Sequence, residues 1–96
     1  MARGEMLMVF CYDVSSDRTR RRISSRLEDA ATRVQYSVFE GRMSETRANA
    51  LAQRIAAMLD TGDSLRVYAI GKNGERRTRI YGDAIPINTE EGYWLF

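Results

Sequence analysis

Nine consecutive residues near the start of the chain, Met6 to Val14 (MLMVFCYDV), are nearly all apolar. A run this short, rich in Val, Phe and Tyr, reads as a strand buried on both faces. That reading constrains everything after it, because a strand of this kind sits inside a sheet. With 96 residues the chain has room for one domain, 1–96, and not for a second.

The segments that follow supply the neighbours. Asp17 to Ala31 reads as a helix, with Ser15 or Ser16 as its N-cap and Asp17 suited to the positive end of the dipole. Ile23, Leu27, Ala30 and Ala31 form one apolar stripe at helical spacing. Val34 to Arg42 alternates and reads as a second strand. Ser44 caps a second helix that buries Ala48, Leu51, Ala52, Ile55, Met58 and Leu59, and Thr61-Gly62 ends it. Leu65 to Ile70 reads as a third strand. Asn73-Gly74 is a two-residue hairpin signal, and Arg77 to Tyr81 is the strand it would return. Residues 82–92 read as irregular. The expected fold is α+β: the ferredoxin-like β-α-β-β-α-β sandwich, with two helices on one face of an antiparallel sheet. Element by element the segments read strand-helix-strand-helix-strand-strand, so the fourth strand of that core comes from 77–81. The tail Tyr93-Trp94-Leu95-Phe96 has no obvious place in a two-helix core. It either tucks back on its own domain or adds to a partner's sheet.

The absence of histidine removes the Ser-His-Asp and Cys-His triads and His-ligated zinc. Cys11 alone makes no internal disulfide, which points to a reducing, cytoplasmic setting. No apolar run has the length of a membrane span, and nothing resembles a signal peptide. Of the 15 basic side chains only Lys72 is lysine; the rest are arginine. Arginine grips phosphate with a planar, bidentate fork, although a coding bias toward arginine would give the same count. Several of these arginines (Arg18, Arg20, Arg21, Arg22, Arg26) lie on the first helix, where basic charge near the N-terminus opposes the dipole. Anionic partners would account for them; a solvated helix face is the plain alternative. Asp13 ends the first strand close to this cluster. It could hold a hard cation, which commonly takes only one or two carboxylates, or it could serve as a cap or an ion-pair partner. No GxGxxG, Walker A, CxxC or paired acidic motif is present.

Three stretches together resemble a known family. They are Met6 to Val14 ending in Tyr12-Asp13-Val14, the basic segment Ser16 to Arg22, and Arg33-Val-Gln-Tyr-Ser-Val-Phe-Glu40. The chain is similar to the CRISPR-associated endonuclease family Cas2 over about residues 6–82, and Asp63-Ser-Leu-Arg-Val-Tyr68 looks like that family's third strand. The resemblance implies a ferredoxin-like homodimer in which Asp13 of two subunits meet to hold Mg²⁺ or Mn²⁺. Such an ion could orient a water and neutralise phosphodiester charge. It implies nuclease-linked roles for Tyr12, Arg20, Arg22, Arg33 and Ser37, with Phe39 more a packing residue. It also implies nucleic-acid binding, for which Arg20, Arg22, Arg33, Arg77 and Arg79 are the candidates. Two functions follow from it: a metal-dependent endonuclease on single-stranded RNA or double-stranded DNA, and a scaffold that carries duplex DNA between dimers of the integrase Cas1 during spacer acquisition. The segment 83–96 is expected at the dimer or partner interface. The competing reading is a ferredoxin-like RNA-binding or toxin-type ribonuclease module outside CRISPR; the aromatic signature of an RRM is absent.

Overall fold

The computed structural model describes residues 4–83 and the backbone of 88–89 and 92–93. The elements run β1 (Glu5–Asp13), α1 (Asp17–Glu28), β2 (Thr32–Gln35), β3 (Val38–Ser44), α2 (Glu45–Ala56), β4 (Ser64–Ile70) and a short α3 (Lys72–Arg77). Two-residue strands β5 (Asn88–Thr89) and β6 (Gly92–Tyr93) pair with each other. The main sheet has the order β2-β3-β1-β4 with every neighbouring pair antiparallel. This is the expected α+β, ferredoxin-like β-α-β-β-α-β arrangement. β1, the apolar run, lies between β3 and β4.

The helices start where the sequence says they should. The Ser16 hydroxyl accepts from the Thr19 N–H at 3.3 Å, and Ser44 does the same for Arg47 at 3.1 Å, so each satisfies one orphan donor of its first turn. α1 is shorter than its apolar stripe suggests. It ends at Glu28, and the N–H groups of Ala30 and Ala31 both fold back onto Leu27 O. The core lies between the helices and one sheet face. Met8, Phe10, Tyr12 and Val14 from β1 and its exit meet Phe39 and Met43 from β3, Ile23 and Leu27 from α1, and Ala48, Leu51 and Ile55 from α2.

The fourth strand is not where the sequence places it. Val34 to Arg42 is no single strand: it folds at Tyr36-Ser37 into the β2–β3 hairpin, with a register shift between Arg33 and Gln35. The turn has no Gly, Pro or Asn to announce it. One tertiary and one local bond hold it instead: the Tyr12 N–H of β1 donates to Ser37 O at 3.1 Å, and the Arg33 guanidinium, three residues back, to Tyr36 O at 2.5 Å. The predicted hairpin at Asn73-Gly74 is likewise replaced by α3. Neither residue has the positive φ a type I′ turn needs. The buried Glu75 carboxylate is ion-paired with Arg42 of β3, which ties this segment down as a helical turn. Of residues 77–81, read as strand, Arg77 lies in α3 and 78–81 form no strand of the sheet. Arg77 therefore ends α3 and Arg79 follows it, both exposed. Within the stretch read as irregular, 88–89 pairs with 92–93. The expected docking of 83–96 lies otherwise outside the described residues.

Only one face of the sheet is covered by helices α1 and α2. On the other, α3 lies over one end: Glu75 reaches Arg42, and Gly74 approaches Ile70. The rest of that face presents Val9 and Cys11 of β1, Val38 and Glu40 of β3, and Arg66 and Tyr68 of β4. Val9, Cys11 and Val38 are half-buried, and Tyr68 is 48% exposed.

Candidate active site

Alternation along β1 sends successive side chains to opposite sheet faces, and this divides the predicted site. Phe10 and Tyr12 point into the core beneath the helices, so Asp13 falls on the side of Val9 and Cys11, at the end of the strand paired with Ser64. Asp13 is exposed and makes no hydrogen bond or ion pair among the described residues.

On the helix side, Tyr12, Arg20 and Arg33 come together in an open cleft of about 150 Å³, with Asp17, Arg21 and Tyr36 also on its wall. Each guanidinium is anchored. Arg20 Nη1 donates to Val14 O at 2.6 Å and Ser15 O at 3.0 Å, and its Nη2 is ion-paired with Asp17. Thus part of the anionic partnership that the basic helix start demands is met internally. Arg33 Nη1 donates to Tyr36 O, Nη2 lies 3.8 Å from Glu28, and its Cζ sits 4.9 Å above the Phe39 ring. Phe39 is wholly buried and stacks on Tyr12 at 6.4 Å between centroids, a packing role that also supports the cleft floor. An arginine has five N–H donors, so both keep donors for a phosphate while the backbone holds them in place.

The Tyr12 hydroxyl donates to Tyr36 O at 3.5 Å. Burial pushes its pKa above the ordinary phenol value of 10.0, against the opposing pull of Arg33 and Arg20. It is therefore a neutral hydrogen-bond donor at working pH. Ser37 sits in the β2–β3 turn beside the cleft and enters through its carbonyl, which receives the Tyr12 N–H.

Arg22 stands apart. It faces a broader groove of about 530 Å³ along α1, together with Arg18, Arg21 and Arg26, with Met58 beyond the end of α2 also on its wall. A second groove, of about 300 Å³ between α1 and α2, adds Arg47 and Arg54, and Arg26 borders both. The α2 arginines carried no sequence signal, because they look like ordinary solvated positions until α1 is set beside them. Arg77 and Arg79 lie toward the Ile70 end of β4, about 20 Å of strand away from the Asp13 end.

The described residues contain no group of three or more Asp, Glu, Cys or His side chains able to hold a metal. At the Asp13 end of the sheet a hard cation therefore meets one unengaged carboxylate among the described residues, that of Asp13. The donor type fits Mg²⁺ or Mn²⁺, which use one or two carboxylates and fill the remaining positions with water and substrate oxygens.

The model of the family described as CRISPR associated protein Cas2 matches residues 6–78. The chain is 36% identical over 78 residues to the CRISPR-associated endoribonuclease Cas2 3 of Synechocystis, covering 80% of this chain and 85% of that protein. It is 35% identical over 68 residues to the CRISPR-associated endonuclease Cas2 2 of Thermus thermophilus, covering 70% and 76%. Among solved structures, Streptococcus pyogenes Cas2 superposes with a TM-score of 0.68 at 30% identity, over 80% of this chain and all of that one. A chain of a partial Cas6-RT-Cas1–Cas2 complex gives 0.67 at 27% identity, covering 78% and 83%. Sequence and fold agree over the same β1-to-α3 body, and the chain belongs to the CRISPR-associated Cas2 family.

Proposed function

We propose that this protein acts in CRISPR spacer acquisition as a homodimer that carries duplex DNA with Cas1, and that it is also a Mg²⁺- or Mn²⁺-dependent phosphodiesterase. The observation that carries the reading is the position of Asp13. It is an unpaired carboxylate at the margin of a sheet face whose apolar centre is covered by no helix or strand among the described residues. β1 is apolar on both sides, yet the helices cover only one. A second copy laid on the open face would cover Val9, Cys11 and Val38 and bring in a second Asp13. Two carboxylates then suffice for one hard cation, whose contribution would be to neutralise phosphate charge and acidify a water.

The chain's own residues bind and orient the substrate. Arg20 and Arg33 donate to phosphate oxygens from anchored positions, and the neutral Tyr12 hydroxyl donates beside them. Arg22, Arg77 and Arg79 lie outside this cleft and are assigned to backbone contacts along a longer nucleic acid. No element among the described residues is arranged to read base edges, so binding is directed at phosphates and is insensitive to sequence. The Cas1 partnership draws on the similarity to the Cas1–Cas2 complex chain, and the nuclease reading on relatives named endoribonuclease and endonuclease.

The test is cleavage of single-stranded RNA and of duplex DNA with Mg²⁺ or Mn²⁺, with EDTA, and with Asp13→Asn. Cleavage that needs the metal and Asp13 is expected. Cleavage that survives either loss contradicts the nuclease reading. If neither protein cleaves while both bind Cas1 and duplex, the scaffold role stands alone.

A further inference from the structure

The Asp63-Ser64 pair opens β4, and the chemistry proposed above makes no use of it. Asp63 immediately precedes the Asp13–Ser64 register pair. Its carboxylate joins two distant segments. Oδ2 accepts from the Asp60 N–H at 2.8 Å, while the Asp63 N–H donates back to Asp60 O at 3.0 Å, closing the loop before β4. Oδ1 accepts from the Ser15 N–H at 3.3 Å, across 48 residues of chain. Ser15 belongs to the turn by which the chain leaves Asp13, and the Val14 and Ser15 carbonyls are the two that hold Arg20 Nη1.

We propose that Asp63 is a positioning residue for the phosphodiester site, clamping the Val14–Ser15 turn so that Asp13 and the Arg20 guanidinium keep a fixed relation. This rests on the reading of Asp13 and Arg20 given above. A carboxylate accepting two backbone N–H groups is a stronger clamp than a neutral acceptor. Without it the Ser15 N–H turns to water, and both the end of β1 and the carbonyl anchor of Arg20 gain freedom. Small misplacements of this kind are costly to catalysis even where the fold survives.

The experiment uses the full chain with Mn²⁺, labelled single-stranded RNA and duplex DNA, and the variants Asp63→Ala, Asp63→Asn, Arg20→Ala and the double variant Arg20→Ala/Asp63→Ala. Asp63→Ala should raise the Mn²⁺ concentration for half-maximal cleavage about tenfold, the lower end of the range for residues that orient a metal-holding side chain. Asp63→Asn, which keeps a carbonyl acceptor, should fall between Asp63→Ala and wild type. Hydrogen exchange at the Ser15 amide should quicken in Asp63→Ala. For nucleic-acid affinity, which needs no cleavage, the double variant should bind no more weakly than Arg20→Ala alone, because both changes act through one turn. Additive losses would overturn the proposal. So would a variant that melts earlier yet keeps the wild-type Mn²⁺ requirement below its melting point, since that is a purely structural role. A wild-type chain that neither cleaves nor binds nucleic acid overturns the functional reading and the proposal with it. An active wild type matched by Asp63→Ala overturns the proposal alone.

Discussion

Tyr12 and Asp13 are adjacent in sequence and point to opposite sides of one strand, so their roles separate. Tyr12 belongs to the arginine cleft, and Asp13 to the uncovered face. Asp13→Asn keeps the size of the side chain but removes the charge a hard cation wants. Because Asp13 is exposed and unpartnered, the variant should unfold within about 0.5 kcal/mol of wild type. It should lose metal-dependent cleavage while still binding duplex in a filter or anisotropy assay. Glu40 is a carboxyl on the open face whose titration is displaced. Burial, with Glu75 nearby, raises its pKa above 4.5. A carboxyl with a raised folded-state pKa contributes stability that is complete below its unfolded value and is lost as pH rises through the folded one. Thermal midpoints of Glu40→Gln should therefore gain on wild type as pH climbs from 4 toward neutrality. A constant difference across that range would show that Glu40 does not feel its surroundings. At this scale the sequence reads Tyr12, Asp13, Arg20, Arg22 and Arg33 as one site, and the structure gathers only Tyr12, Arg20 and Arg33 in one cleft. The partition of Asp13 from the cleft follows from strand alternation. The placement of Arg22 in a different groove along α1 needed the packed helix to be seen.

Among the elements, those specified by local chemistry were legible and those specified by distant contacts were not. Serine caps and apolar stripes place α1 and α2, and an unbroken apolar run places β1. The Tyr36-Ser37 turn lacks the usual turn residues, and the Ser37 carbonyl is satisfied from β1 by the distant Tyr12 N–H, with Arg33 holding the Tyr36 carbonyl from within the hairpin. α3 is misread for the same reason, since Asn73-Gly74 carries a hairpin signature that the Glu75–Arg42 ion pair overrides. The ferredoxin-like fold class survives both errors, but the order of elements read from the sequence, with two strands after the second helix, does not: the missing strand was hidden inside the second. One further position depends on close approach. A Cβ on Gly41 of β3 would lie 2.8 Å from Ala30 O and 3.0 Å from Ala31 Cβ, where the chain passes from α1 to β2. Gly41→Ala should cost about 1–3 kcal/mol, as overpacking does, measurable by urea unfolding. An unchanged midpoint would mean that this link shifts freely.

The described residues form a sheet with one face covered by helices and one largely open, and a basic helical layer on the covered side. The two-sided apolar character of β1 makes sense only if the open face is also covered. Val9→Arg should therefore leave the fold intact by circular dichroism and yield a monomer in light scattering, since Val9 points away from the helical core. A variant that stays dimeric would place the interface elsewhere. Duplex affinity should fall steeply with added salt, as it does when arginines displace counterions from phosphates, and a flat salt dependence would contradict phosphate-directed binding. The central claim is that two chains share one cation through their Asp13 carboxylates. Titration of the purified protein with Mn²⁺, followed by the loss of the free-ion electron paramagnetic resonance signal, tests it most directly. The account predicts one tightly bound ion per two chains, abolished in Asp13→Asn. One ion for every chain, or binding that persists in the variant, would contradict it.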